Sequence, residues 1–264
     1  KALEEEITES KTGGERKHIT VLFSDLSGYT ELAEKLDPEE VKDIISQLFD
    51  GASEIIVKYG GFVEKFVGDA IMAIFGVPDV HEDDPLRAIK TAREIHDLVG
   101  VKSNEYEDKI GRPLSMHSGI NTGLVVTGDV DAANGTHGVA GDTINLAARL
   151  SSLSKDGEIL VGPDTYQQAG GYFTFENLGP TRIKGRSEPV EVYKVLVPRK
   201  IPRKIHRPLG RRAELIGRST EMVLLDEAAQ RLKKGESSII SIIGDAGTGK
   251  SRLIEEFRST LNLL

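Results

Sequence analysis

Residues 64–76 read EKFVGDAIMAIFG, and within and just before this stretch two apolar segments, 62–67 and 70–75, are separated only by Gly68-Asp69. Two residues can join antiparallel strands, whereas parallel strands need a crossover of a dozen or more. Glycine next to a small polar residue is the composition of a tight turn. The apolar character of both arms reads as core. Its tip carries a carboxylate, Asp69. Aspartate is common at loop tips because it favours turns, so its meaning depends on what the rest of the chain places beside it.

Residues 18–24, HITVLFS, form a β-branched run typical of a buried strand. From 38 to 59, Val41, Ile44, Ile45, Leu48, Ala52, Ile55 and Ile56 recur at the helical period. Asp37 stands at the N-cap position, Pro38 at the first helical position and Glu40 at the capping-box position, and Gly60-Gly61 ends the helix. A second helix is expected over 84–104, with Leu86, Ile89, Ala92, Ile95, Leu98 and Val99 on its apolar face, followed by a strand over 114–120. The order is β-α-β-β-α-β, the split arrangement that makes an antiparallel sheet with two helices on one face. Beyond it, strands are expected at 124–127, 158–161, 172–177 and 190–196, and a helix at 143–152. The fold class is therefore α+β, a ferredoxin-like core with extra C-terminal strands and helices.

The chain is 264 residues long, which suits one large or two modest domains. Residues 1–16 are polar and read as a helical lead-in or linker, and 17–197 hold the α+β domain. Composition then changes: PRKIPRKIHRPLGRR is basic and Pro-rich, an extended linker over 198–213. From 214 to 264 a new domain begins, with a helix over 221–232, an apolar strand over 238–243 and the loop GDAGTGKS. That loop matches G-x-x-x-x-G-K-[ST] after a strand, the phosphate-binding P-loop: Gly244 and Gly249 shape it, Lys250 reaches the phosphates and Ser251 the magnesium. This reading expects a truncated front of a P-loop α/β domain. The absence of cysteine excludes disulfides and thiolate metal sites and is compatible with a reducing, cytoplasmic location. A formal net charge of −8 argues against nucleic acid as a partner, and no apolar run approaches the ~18 residues of a membrane span.

A second carboxylate, Asp25, ends the first strand in FSDLSGYT. The split topology sets that strand beside the hairpin, so Asp25 and Asp69 can share hard cations. Mg²⁺ favours one or two carboxylates completed by substrate phosphates, and a pair of ions can activate an attacking oxygen and stabilise a leaving one. The turn Ser27-Gly28-Tyr29-Thr30 leads into a helix whose free N–H groups suit a triphosphate. In GDTINLAARL, Asn145 and Arg149 are four apart and share a helix face, where they can grip a sugar oxygen and a phosphate. Lys184, in IKG, adds a cation before the last strand.

Together FSDLSGYT, EKFVGDAIMAIFG, GDTINLAARL and IKGRSEPVEVY resemble, in order and approximate spacing, the class III nucleotidyl cyclase catalytic domain, and the match covers roughly residues 16 to 197. The resemblance implies that Asp25 and Asp69 are the metal-binding aspartates, holding two Mg²⁺ or Mn²⁺ ions per site. It makes Asn145 the residue that orients the ribose, Arg149 the one that stabilises the transition-state phosphate and Lys184 the one that holds the polyphosphate. It implies a head-to-tail homodimer in which each site takes its metal aspartates from one protomer and its base-reading residues, Asn and Arg from the other. The segment from 214 resembles the start of a signal-transduction ATPase.

Lys65 stands where the family reads the purine edge. Adenine N1 accepts a hydrogen bond and suits a lysine, so Lys65 favours ATP as substrate. The partner position, which in adenylate cyclases carries Asp or Thr, is Gly138 here, with Thr136 and His137 as possible substitutes. The expected function is conversion of ATP to cyclic AMP and pyrophosphate. A guanylate or mixed-specificity cyclase is the first alternative, and a nucleotide-sensing dimerisation module serving the C-terminal ATPase is the second.

Overall fold

The computed structural model describes residues 15–127, 139–200, 215–237, 239–244 and 247–261. Residues 1–14, most of the basic linker, and Thr136, His137 and Gly138 lie outside the described residues. The backbone divides into two units, Lys1–Ile205 and His206–Leu264.

In chain order the first unit contains β1 (Glu15–Ser27), α1 (Tyr29–Lys35), α2 (Pro38–Lys58), β2 (Gly61–Val67), β3 (Ala70–Phe75), α3 (Asp84–Ser103), α4 (Glu107–Ile110), β4 (Ser115–Thr127), β5 (Val139–Ala140), α5 (Asp142–Leu153), β6 (Ile159–Val161), α6 (Pro163–Ala169), β7 (Phe173–Thr181) and β8 (Val190–Pro198). The sheet runs β2-β3-β1-β4-β6-β8-β7, with β5 on β4. Pairing is antiparallel except between β4 and β6. Asp37 caps α2 by accepting the Glu39 N–H at 2.9 Å, with Pro38 as the first helical residue.

Strand alternation sorts the core into two layers. Leu22, Leu26, Ile71, Ala73, Phe75, Met116 and Ile120 pack against α2 and α3 on one face. Ile19, Val21, Met72, Ile74 and Val125 point the other way, to α5 through Ile144 and Ala147. Two buried hydroxyl pairs sit at register positions of β1 and β4. Thr20 and Thr122 meet at 3.0 Å, with Thr165 of α6 on Thr122 at 2.8 Å. Ser24 and Ser118 meet at 2.7 Å, with His96 Nε2 of α3 on Ser118 at 2.8 Å. Each of these hydroxyls inside the apolar layer is thus satisfied, and each pair favours one register over a slipped one.

Several expectations need correcting. Residues 15–16, assigned to the lead-in, belong to β1, because β4 is long enough to pair with them at Thr127 and Val126. The strands expected at 114–120 and 124–127 are one strand, β4. Gly123 stays in the ladder opposite Ile19, and its missing side chain makes room for α5: a Cβ there would stand 2.7 Å from Thr143 Oγ1. Helix α1, 7 residues long, opens in the turn from Ser27 to Thr30 as expected, whereas α4 and α6, 4 and 7 residues long, are too short for periodicity to reveal.

The second unit has α7 (Ser219–Lys233) and α8 (Lys250–Leu261). Residues 239–243, expected as a strand, form no ladder: among the described residues none offers them a neighbouring strand, and Ile239 and Ile243 are 97% and 92% exposed. Strand geometry is held by cross-strand hydrogen bonds, and an apolar sequence alone does not supply them.

Candidate active site

Asp25 lies on the α5 side of β1. It is in register with Ala70 of β3 on one flank and His117 of β4 on the other. Asp69 follows Gly68 at the hairpin tip, and its carbonyl accepts the Leu26 N–H at 3.3 Å, which ties the tip to the end of β1. The two carboxylates are close enough to sense each other. Burial raises the Asp25 carboxyl above its ordinary range and the Asp69 charge raises it further, while His117 and the Leu26 N–H pull it down. Neither aspartate pairs with a Lys or Arg among the described residues.

Lys65 reaches the same face by an irregularity. Val63 pairs with Ala73 on the α2/α3 side, and in a regular strand residue 65 would point there as well. A bulge at Glu64 shifts the register so that Lys65 pairs with Met72, whose side chain lies in the α5 layer. Bulges re-aim side chains in this way. Phe66 then turns back and stacks on Phe49 of α2, centroids 4.8 Å apart.

Asn145 and Arg149 are exposed on α5, and neither pairs with another described residue. The helix lies hard on β4. A Cβ at Gly119 would come within 2.1 Å of the Ser151 nitrogen and 2.2 Å of the Ala147 oxygen. Only glycine permits that approach. Lys184 is exposed on the loop between β7 and β8, one residue after Ile183, which is buried with Leu146 and Leu150 of α5. Arg186, two residues on, forms an ion pair with Asp142 at the start of the same helix. A buried anchor and an ion pair therefore seat the Lys184 loop against the helix that bears Asn145 and Arg149.

Ser27 ends β1, and Gly28 takes the left-handed conformation, φ 94°, before Tyr29 and Thr30 open α1. The first intrahelical bond runs from Leu32 N–H to Gly28 C=O, leaving the preceding N–H groups unbonded within the helix. In the second unit, Lys250 and Ser251 open α8, after Gly249 at φ 85°. Lys250 Nζ donates to the Gly244 carbonyl at 2.9 Å, and Arg218 donates to the Thr248 carbonyl at 3.0 Å.

The fold thus places Asp25 and Lys65 on one sheet face with Asp69 at the adjoining hairpin tip, and Asn145, Arg149 and Lys184 about α5. Among the described residues no hydrogen bond or ion pair joins the two sets within the chain. Gly138 lies outside the described residues. Three residues that sequence reasoning missed belong here: His117, Asp142 and Arg186. His117 is found only through β1–β4 register, and the Asp142–Arg186 pair spans 44 residues, so no local pattern marks either.

The donor set suits a hard divalent cation. The Asp69 charge adds to the cost of ionising Asp25, and a cation beside them would remove it. Among the described residues no three or more His, Cys, Asp or Glu are grouped so as to hold a metal ion by themselves, so the two carboxylates would need substrate oxygens to complete the coordination.

Residues 13–196 match the family model of the adenylate and guanylate cyclase catalytic domain, and residues 214–263 match the AAA ATPase domain. Adenylate cyclase 1 of Rhizobium meliloti is 30% identical over 185 residues, which cover 69% of this chain but 28% of that protein; the chain thus spans little more than a quarter of this curated relative. The adenylyl cyclase CyaB from P. aeruginosa superposes with a TM-score of 0.66 at 35% identity, covering 70% of this chain and 97% of that one. The guanylyl cyclase Cya2 superposes with a TM-score of 0.65 at 34% identity, covering 71% and 96%. With a catalytic-domain match over most of its length and a fold shared with both kinds of enzyme, the chain belongs to the adenylate and guanylate cyclase family.

Proposed function

We propose that residues 17–197 form an adenylate cyclase domain that converts ATP to 3′,5′-cyclic AMP and pyrophosphate at sites shared by two protomers. The basic linker would join it to the P-loop domain that begins at 214. The observation that carries the reading is the pairing of Asp25 and Asp69, two carboxylates that repel each other across β1 and the adjoining hairpin tip with no Lys or Arg among the described residues to neutralise them.

Asp25 and Asp69 would hold Mg²⁺ or Mn²⁺, two ions per site. When bound, the cations would lower the barrier to deprotonating the ribose 3′-hydroxyl and neutralise charge on the phosphates. The N–H groups of the turn from Ser27 to Thr30 would bind the polyphosphate. Lys65, exposed on the Asp25 face, would donate to adenine N1. Asn145 would orient the ribose, Arg149 would stabilise the negative charge that grows on the α-phosphate, and Lys184 would hold the leaving pyrophosphate. Most of the rate would come from positioning and charge neutralisation. Among the described residues no hydrogen bond or ion pair joins the two residue sets within one chain, and a second copy completing each site is in keeping with that.

A guanylate or mixed-specificity cyclase is the second reading. It is favoured by Gly138, which offers no side chain to the adenine amine, and by near-equal likeness to CyaB and Cya2. Purified protein with Mn²⁺ and either ATP or GTP, scored for cyclic product, separates these readings. Nucleotide binding with no turnover of either would support a sensing module instead.

A further inference from the structure

His117 is not among the residues that the family resemblance carries over, yet its ring faces Asp25. Its Nδ1 contacts the Ser151 carbonyl at 2.9 Å and Ser154 Oγ at 3.2 Å. Ser154 Oγ spends its single hydrogen on the same carbonyl at 2.6 Å. Both neighbours of Nδ1 therefore act as acceptors, and Nδ1 carries the ring hydrogen. The lone pair of the neutral ring is then on Nε2, which stands 3.8 Å from Asp25 Oδ2. At that distance no hydrogen bond forms between them. Two donors bound to one small divalent ion at about 2.0–2.1 Å each stand no more than about 4.2 Å apart. The separation of Nε2 and Oδ2 falls inside that limit.

We propose that His117 supplies a nitrogen ligand to the cation on Asp25, so that this site selects Mn²⁺ over Mg²⁺. The inference rests on Asp25 and Asp69 being the metal aspartates. Imidazole nitrogen is a poor ligand for Mg²⁺, which prefers oxygen, and a better one for first-row transition ions. The ring is held ready to ligate, because α5 fixes its orientation through Ser151 and Ser154, as outer hydrogen bonds fix metal-binding histidines elsewhere. His117 is largely buried, its side chain 16% exposed, so little rotational freedom is lost on binding. Asp25 has His117 in register on one flank and feels the Asp69 charge from the hairpin tip on the other, so the three residues do not need to close a cage before the phosphates arrive.

The test is pulsed electron paramagnetic resonance of Mn²⁺ bound to the whole chain, with ¹⁵N-labelled histidine and inorganic tripolyphosphate as a nitrogen-free ligand. The expected result is ¹⁵N modulation in the wild type that disappears in His117→Asn. Mn²⁺ affinity should fall at least about tenfold in that variant while Mg²⁺ affinity changes little. Mn²⁺ bound in an Asp25- and Asp69-dependent manner without ¹⁵N modulation overturns the proposal and leaves the metal aspartates standing. Modulation that survives in His117→Asn assigns the nitrogen to another histidine and also overturns it. Mn²⁺ binding indifferent to Asp25→Ala and Asp69→Ala removes the reading beneath as well. The wild-type spectrum decides the first outcome even if the variant folds poorly.

Discussion

Gly119 of β4 lies so close beneath α5 that a Cβ there would stand 2.2 Å from the carbonyl oxygen of Ala147. The clash is with backbone, which cannot rotate away, so Gly119→Ala must lift the helix that carries Asn145 and Arg149. Overpacking costs about 1–3 kcal/mol, and we expect the upper end here, with cyclase activity lost. Gly123→Ala meets the Thr143 hydroxyl at 2.7 Å, a side chain that can turn, and should cost less. Urea unfolding of the two variants gives the order; equal losses would contradict it.

His96 provides a pH signature. Burial first, and the nearby His117 second, lower its pKa from 6.5 to about 4, against the opposing effect of a hydrogen bond involving the Gly157 backbone. The unfolded chain therefore binds more protons between those values. Stability should be complete above about pH 6.5 and decline as pH falls towards 4, by about 3 kcal/mol in all. In His96→Gln that part of the decline should vanish. Chemical denaturation from pH 4 to 7 measures it, and parallel curves for wild type and variant would refute the assignment.

Asp25→Ala and Asp69→Ala should each cut cyclic-nucleotide formation by orders of magnitude while leaving the fold intact by circular dichroism. Retention of more than about a tenth of the activity in either variant, a loss under ~1.4 kcal/mol, would overturn the shared-metal reading.

Site sharing predicts complementation. Asp25→Ala and Arg149→Ala proteins should each be inactive, and mixing them should restore activity through heterodimers with one intact site. If verified subunit exchange brings no recovery, the site is not built from two chains.

On the proposed reading, Lys65 would offer one contact to adenine and Gly138 no side-chain contact. Discrimination should then be that of a single hydrogen bond to a charged donor, ~1.5–3 kcal/mol, or about ten- to a hundredfold in kcat/KM for ATP over GTP. Lys65→Glu should weaken ATP use more than GTP use, and Gly138→Asp or Gly138→Thr should sharpen the preference for ATP. Steady-state kinetics with both nucleotides decides this: a wild type preferring GTP overturns the adenylate assignment.

Much of the architecture can be read from local pattern. The periods of α2 and α3, the Asp37–Pro38 start and the two-residue hairpin each depend on residues close together in sequence, and each appears in the structure within a few residues of its expected bounds. Helices α4 and α6 escaped because four and seven residues hold no more than two turns. The ladder expected at 239–243 failed for the opposite reason, since its pattern is local and its requirement is a neighbour.

By itself the sequence determined the β-α-β-β-α-β order, the four motifs and hence the family, because strand alternation, helical period and turn chemistry act over a few residues. Tertiary structure alone decided which residues meet. The bulge at Glu64 turns Lys65 onto the face of Asp25, β1–β4 register brings His117 to Asp25, and the Arg186–Asp142 pair seats the Lys184 loop on α5. Each of these depends on pairing between segments distant in the chain. A one-residue change in register reverses every side chain of a strand, and nothing in the local sequence records that choice.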